Sequence, residues 1–282
     1  MSESMDKVLG PVELIVRDIA AVMRFYTQCI GLKVLRTDAK AVHLGAGGNE
    51  LLVLHDLPDA KNPGRTAGLY HVAILLPSRR ALALQLRHLV DSGVRLQGAA
   101  DHLVSEALYL SDPEGNGIEI YYDRPPEQWP REKGQLRMAS DPLDFRALRA
   151  ELNFENIAWA GLPPEAIIGH VHLRVSDLSA AETFYREVLR MNVTVRYGHS
   201  AIFLSYKGYH HHIGINTWES LGVPAAPVGS PGLRHIVLHA PDMATWKRIE
   251  SESRRRNIPM AHADTGLKIY DPSGNAVLAL PP

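Results

Sequence analysis

The segment GPVELIVRDIAAVMRFYTQCIGLKV, from Gly10, aligns without a gap on GHVHLRVSDLSAAETFYREVLRMNV, from Gly169. Gly, Val, Leu, Val, Asp and the pair Phe-Tyr coincide at a constant offset. Self-similarity of this kind marks an internal repeat and restricts the chain to folds assembled from copies of one unit. A second pair follows the same logic: GLYHVAILLP from Gly68 and GLRHIVLHAP from Gly232 share Gly, Leu, His and Pro. Each leads on to a related turn, DPEGNG at 112–117 or DPSGNA at 271–276. The chain therefore reads as four modules of similar size.

Within a module, an alternating apolar stretch such as VELIV or VHLRV predicts a strand, the following Asp a helix cap, and the run ending in Phe-Tyr a helix. Short strands come next: AVHLG and NELLVLHD in module one, ALYLSD and GIEIYYD in module two, SAIFLSY and HHHIGIN in module three, LKIYD and AVLALPP in module four. Asp-Pro-x-Gly-Asn supplies a turn before the last strand of modules two and four, since Gly and Asn tolerate positive φ. Each module is thus βαβββ, and the expected class is α/β (α+β). The expected domains are 1–125, with modules 9–56 and 68–123, and 168–282, with modules 168–217 and 232–281. Between them, 126–167 is a proline- and charge-rich linker with a short helix in DFRALRAELN.

In YHHHIGIN, read as a strand, His210 and His212 point to one face and His211 to the other. The remaining composition excludes more than it identifies. With 282 residues, 45% hydrophobic and 22% charged, the chain can build ordinary globular cores. A formal net charge of −1 gives no electrostatic footprint for nucleic acid or an acidic membrane. No apolar run approaches a bilayer span, and MSESMDKVLG lacks the apolar stretch of a signal peptide, so a cytoplasmic protein is expected. Cys29 is the sole cysteine, which excludes an intrachain disulfide or a paired-cysteine zinc site. It is expected to be a small buried apolar residue.

The modules, with histidine opening several first strands and GNGIE entering one last strand, resemble the vicinal oxygen chelate superfamily. Within it, GLYHVAILLPSR, DHLVSEALYLSDPEGNGIEIYYDRP, IGHVHLRVSDL and YHHHIGINTW resemble the bacterial catechol 2,3-dioxygenases, which cleave aromatic diols in the extradiol sense. The resemblance implies two domains, each with a mixed sheet curled into a cup around a divalent metal. Its histidine-ligand position is taken by Pro11, His71, His170 and His235 in modules one to four. Its carboxylate position is Glu119 in module two and Leu278 in module four. The complete set is His71, His170 and Glu119, the two-histidine, one-carboxylate arrangement of non-haem Fe(II) oxygenases, with Mn(II) an alternative. These ligands come from modules two and three, whereas the better-known ring cleavers draw all three from their C-terminal pair. Either those modules pair within one chain or the pairing crosses between subunits.

The same resemblance implies His212 as an acid–base residue, with His102 and Tyr109 bonding substrate and intermediate oxygens. It makes His210 and His172 substrate-facing, His172 also being an alternative ligand to His170. His211 is expected to pack on the far face. His235 has no carboxylate at Leu278, and Glu13 is read on a parallel neighbouring strand, a structural pair rather than a second metal site. The implied reaction inserts O₂ into a catechol-type diol to give a hydroxymuconic semialdehyde, in a homo-oligomeric protein without nucleic-acid or membrane partners. A metal-dependent glyoxalase or epimerase, a hydroquinone-cleaving dioxygenase and a non-catalytic binding protein of the same superfamily remain alternatives.

Overall fold

The computed structural model describes residues 8–153 and 157–282. Module one holds β1 (Leu9–Val16), α1 (Ile19–Phe25), β2 (Lys33–Thr37), β3 (Ala41–Ala46) and β4 (Asn49–Asp56). Module two holds β5 (Gly68–Leu76), α2 (Arg79–Asp91), β6 (Gly98–Asp101), β7 (Ser105–Ser111) and β8 (Gly117–Asp123). The linker contributes three two-residue strands, β9 (Arg131–Glu132), β10 (Gln135–Leu136) and β11 (Asp141–Pro142), and the helix α3 (Phe145–Ala150). Module three is β12 (Ile167–Arg174), α4 (Leu178–Thr183), β13 (Asn192–Tyr197), β14 (Ala201–Ser205) and β15 (Ile213–Asn216). Module four is β16 (Gly232–His239), α5 (Met243–Arg255), β17 (Met260–Ala263), β18 (Gly266–Tyr270) and β19 (Ala276–Leu280). The architecture is mixed α/β, and no helix among the described residues is long and apolar enough to cross a membrane.

The chain divides into two compact units. Among the described residues, one comprises 8–15, 59–70 and 170–282, the other 16–58, 71–153 and 157–169. In the first, strands run in the orders β17-β18-β19-β16-β1 and β12-β15-β14-β13; in the second, β11-β6-β7-β8-β5 and β4-β3-β2. First and last strands of a module lie side by side and parallel, as β5 with β8, β12 with β15 and β16 with β19.

Repetition extends to the caps. Asp18 Oδ1 accepts from the Ala21 N–H at 2.9 Å, Ser78 Oγ from Ala81 at 3.1 Å, Asp177 Oδ1 from Ala180 at 3.0 Å and Asp242 Oδ1 from Thr245 at 2.7 Å. Each satisfies an N–H that the first turn leaves unpaired. Helices α1 and α4 pass into a π-helical turn, Tyr26–Ile30 and Phe184–Val188, whereas α2 and α5 run regularly for 13 residues.

The Asp-Pro-x-Gly-Asn turns are organised by their aspartates. Asp271 Oδ1 accepts from the Ser273 and Asn275 N–H groups at 2.8 and 2.9 Å, and Oδ2 from Asn275 Nδ2 at 2.9 Å. Asp112 repeats this with Glu114 and Asn116 at 2.8–2.9 Å. Only the glycines take positive φ there, Gly115 at 87° and Gly274 at 85°; the asparagines serve as donors instead. The Tyr185 hydroxyl donates to Asp271 Oδ2 at 3.1 Å, so the Phe-Tyr pair of one module anchors the turn of the next. Burial, and then the Asp271 charge, raises the Tyr185 pKa well above its ordinary value.

Candidate functional site

The second unit gathers four residues singled out in the sequence. In the parallel pair β5/β8, Ala73 lies opposite Glu119, which places His71 and Glu119 on one face of adjacent strands. Both are buried, and His71 Nε2 stands 3.0 Å from Glu119 Oε2. On the other side of β8, Tyr109 of β7 is directly opposite Glu119, so it shares that face, its ring centroid 5.7 Å from that of His71.

His102 follows β6. Its Nδ1 lies 2.6 Å from the Ala139 carbonyl and its Nε2 2.6 Å from the Tyr109 hydroxyl. A carbonyl only accepts, so Nδ1 carries a proton, and the Nε2 lone pair of the ring in its neutral form would accept the Tyr109 O–H. The turn that presents His102 is strained: Leu103 takes φ 70°, held there by its N–H bond to Asp101 Oδ1 at 2.8 Å. Asp101 is in turn clamped by Arg124 at 2.6 and 2.8 Å, which lowers its pKa, and Arg124 also reaches Glu106, the bidentate partner of Arg79.

The first unit gathers the other candidates, all buried: His170, His172, His210, His211 and His212. The histidine triplet is not part of a strand. After β14 the chain turns through Lys207 and Gly208, at φ 53° and 77°, and β15 begins only at Ile213. Strict alternation of faces therefore fails. The His211 ring, expected on the far side, lies 4.1 Å from that of His170, with the His210 ring 6.1 Å away. His210 Nδ1 and His211 Nδ1 are 2.7 Å apart, so one proton is shared between them. His212 instead sits among tyrosines, with Tyr209 at 4.8 Å and Tyr206 at 6.4 Å, and its Nδ1 accepts the Tyr206 N–H at 3.2 Å. Burial, then the neighbouring His210 and His170, lowers its pKa to about 3, and it is neutral at ordinary pH.

His172 lies against Gly214, its register partner across β12/β15; a Cβ on Gly214 would fall 2.9 Å from the ring. Tyr70, Trp218 and Phe203 border the same imidazole edge-on at 5.2, 5.3 and 5.6 Å. Sequence reasoning missed Tyr70, Phe203 and Gly214. The glycine in HIGIN was the available signal, a missing side chain where another ring approaches. Gly169, just before His170, has a similar cause: a Cβ there would meet the Tyr121 hydroxyl at 1.8 Å.

Between modules one and four, β1 and β16 pair antiparallel, not parallel as read from the sequence, with Glu13 in register with His235. His235 Nε2 lies 3.3 Å from Glu13 Oε1. Among the described residues no third metal-capable side chain joins this pair.

The sequence model of the Glyoxalase/Bleomycin resistance protein/Dioxygenase superfamily matches residues 8–120 and 167–278, and the chain belongs to that superfamily. A catechol-2,3-dioxygenase of Bacillus subtilis (strain 168) is 38% identical over 278 residues, 97% of this chain and 96% of the relative. A solved structure from Bacillus subtilis subsp. subtilis str. 168 superimposes with a TM-score of 0.64 at 13% identity, covering 97% of this chain and 84% of that one. Glyoxalase I from Zea mays gives 0.60 at 15% identity, covering 97% and 92%. These two structural likenesses concern the fold alone.

Proposed function

We propose that the chain is a metal-dependent extradiol dioxygenase that opens a catechol-type aromatic diol with O₂ to a hydroxymuconic semialdehyde-like product. The observation that carries this reading is the buried His71–Glu119 pair with Tyr109 and His102 beside it. A carboxylate removed from water against an imidazole is the donor chemistry of a divalent cation. His170, at the same module position as His71 and also buried, is the proposed third ligand. The 38% identical catechol-2,3-dioxygenase supports the choice of reaction. Fe(II), or Mn(II), held there supplies a Lewis-acid and redox centre for a diol and O₂.

The chain's own residues handle protons and orientation. The Tyr109 oxygen takes the proton of a diol hydroxyl as its own passes to His102 Nε2, and the Ala139 carbonyl then stabilises the doubly protonated ring. The His210–His211 pair, beside His170, is the second proton store. It is proposed in place of His212 as the acid–base group, since His212 Nδ1 already accepts the Tyr206 N–H and its remaining proton sits on Nε2. His172 and its aromatic border orient the flat face of the diol.

Anaerobic loading with Fe(II), followed by catechol and air, tests the reading through the yellow colour of the ring-opened product. No colour from a panel of catechols, with metal bound, would favour an isomerase of the superfamily.

A further inference from the structure

A cleft of about 330 Å³ in the first unit lies between the π-helical turn of module three and the C-terminal half of α5. It is lined by Arg186, Arg190, Arg248, Arg255 and Arg256 against only two carboxylates, Glu187 and Glu252. Five cations against two anions leave three positive charges in excess on a chain whose formal net charge is −1. The carboxylates are already engaged. Glu252 binds Arg255 at 2.7 Å and Arg256 at 3.2 Å, and Glu187 binds Arg256. Arg186 draws on Glu182 at 3.0 Å, outside the cleft. Among the described residues Arg190 and Arg248 have no ion-pair partner.

Arg190 also takes φ 64°, a conformation that a glycine would adopt without cost, so its guanidinium stands where the backbone disfavours any side chain. Arginine forks match phosphate oxygens two at a time. The lining holds no aromatic ring and a single apolar residue, Met191, so nothing there would stack on a nucleobase. We propose that this cleft binds a short inorganic-type polyphosphate chain, recognised by its charge and its paired oxygens. The inference is independent of the metal site.

Isothermal titration at physiological salt with inorganic tripolyphosphate, orthophosphate and a glutamate-rich peptide tests it. The expected result is one saturable site per chain, with tripolyphosphate binding at least about tenfold more tightly than orthophosphate. Combining Arg190→Gly, which also relieves the strained φ, with Arg248→Gln should weaken tripolyphosphate about tenfold or more at unchanged circular dichroism, the size of one charge-assisted hydrogen bond. Extraction of a bound metal by tripolyphosphate would be common to both proteins, so the difference between them is the readout. Equal binding by the double variant, or no saturable site, would overturn the proposal. Tighter binding of the peptide would overturn it in favour of an acidic protein segment.

Discussion

The strand pairs β5/β8 and β16/β19 have one backbone geometry and two chemistries. Both are parallel, and in both the residue two past the histidine meets the key position of the last strand: Ala73 faces Glu119, and Val237 faces Leu278. Ten residues upstream, Tyr109 is opposite Glu119 and Lys268 opposite Leu278. His71 therefore finds a carboxylate from its own module. His235 finds Glu13, from module one, across an antiparallel ladder. The two copies share a scaffold and differ in donor set through single side chains at matched register positions.

His211→Ala should separate the proton-handling role from metal binding most sharply. It is expected to retain metal and lower turnover by roughly 10²–10⁴, the range for an acid–base group, while His212→Ala lowers it far less. Stopped-flow assays at saturating catechol read both, and a larger loss in His212→Ala would return the role to that residue. Tyr109→Phe should retain metal and reduce kcat by about tenfold or more, with a flattened pH profile, because the relay to His102 is cut. An unchanged profile would leave Tyr109 as packing. Leu278→Glu tests the comparison from the other side. With His235 and Glu13 it completes a three-group set in module four and should add a second, weaker metal equivalent per chain, counted by atomic absorption. No gain would show that register alone does not make the site.

How far the site could be read in advance depended on whether local rules held. The caps, the order of elements within each module and the strand position of Glu119 were legible because each rests on a short motif whose geometry is local: an Asp before a helix, or a turn entering a strand. The histidine triplet was misread because alternation presupposes a regular strand, and the left-handed Lys207–Gly208 turn breaks it just upstream. The antiparallel Glu13–His235 pairing and the arginine cleft were hidden because they join residues far apart in the chain, Arg190 and Arg248 among them. The aromatic border of His172 has the same origin, since Tyr70 and Trp218 lie some hundred and some forty-five residues from it.

Two smaller effects bear on stability. The folded His212 pKa of about 3 lies below the ordinary 6.5, so the native state binds fewer protons than the unfolded chain. The contribution is present above about 6.5 and is lost as pH falls toward 3. Urea midpoints should fall over that window, and more shallowly in His212→Asn; identical slopes would remove the burial argument. The tyrosine anchors compare the two units directly. Tyr185 closes its bond to Asp271 at 3.1 Å, whereas the Tyr26 hydroxyl makes only a looser contact with Asp112. Tyr185→Phe should cost about 1–2 kcal/mol by urea unfolding and Tyr26→Phe less, with equal losses contradicting the distinction.

The most direct measurement is metal content after stripping and reloading with Fe(II) or Mn(II), compared among the wild type, Glu119→Ala and Leu278→Ala. The account predicts one equivalent per chain in the wild type and in Leu278→Ala, and none in Glu119→Ala. Equal metal in all three proteins would contradict it.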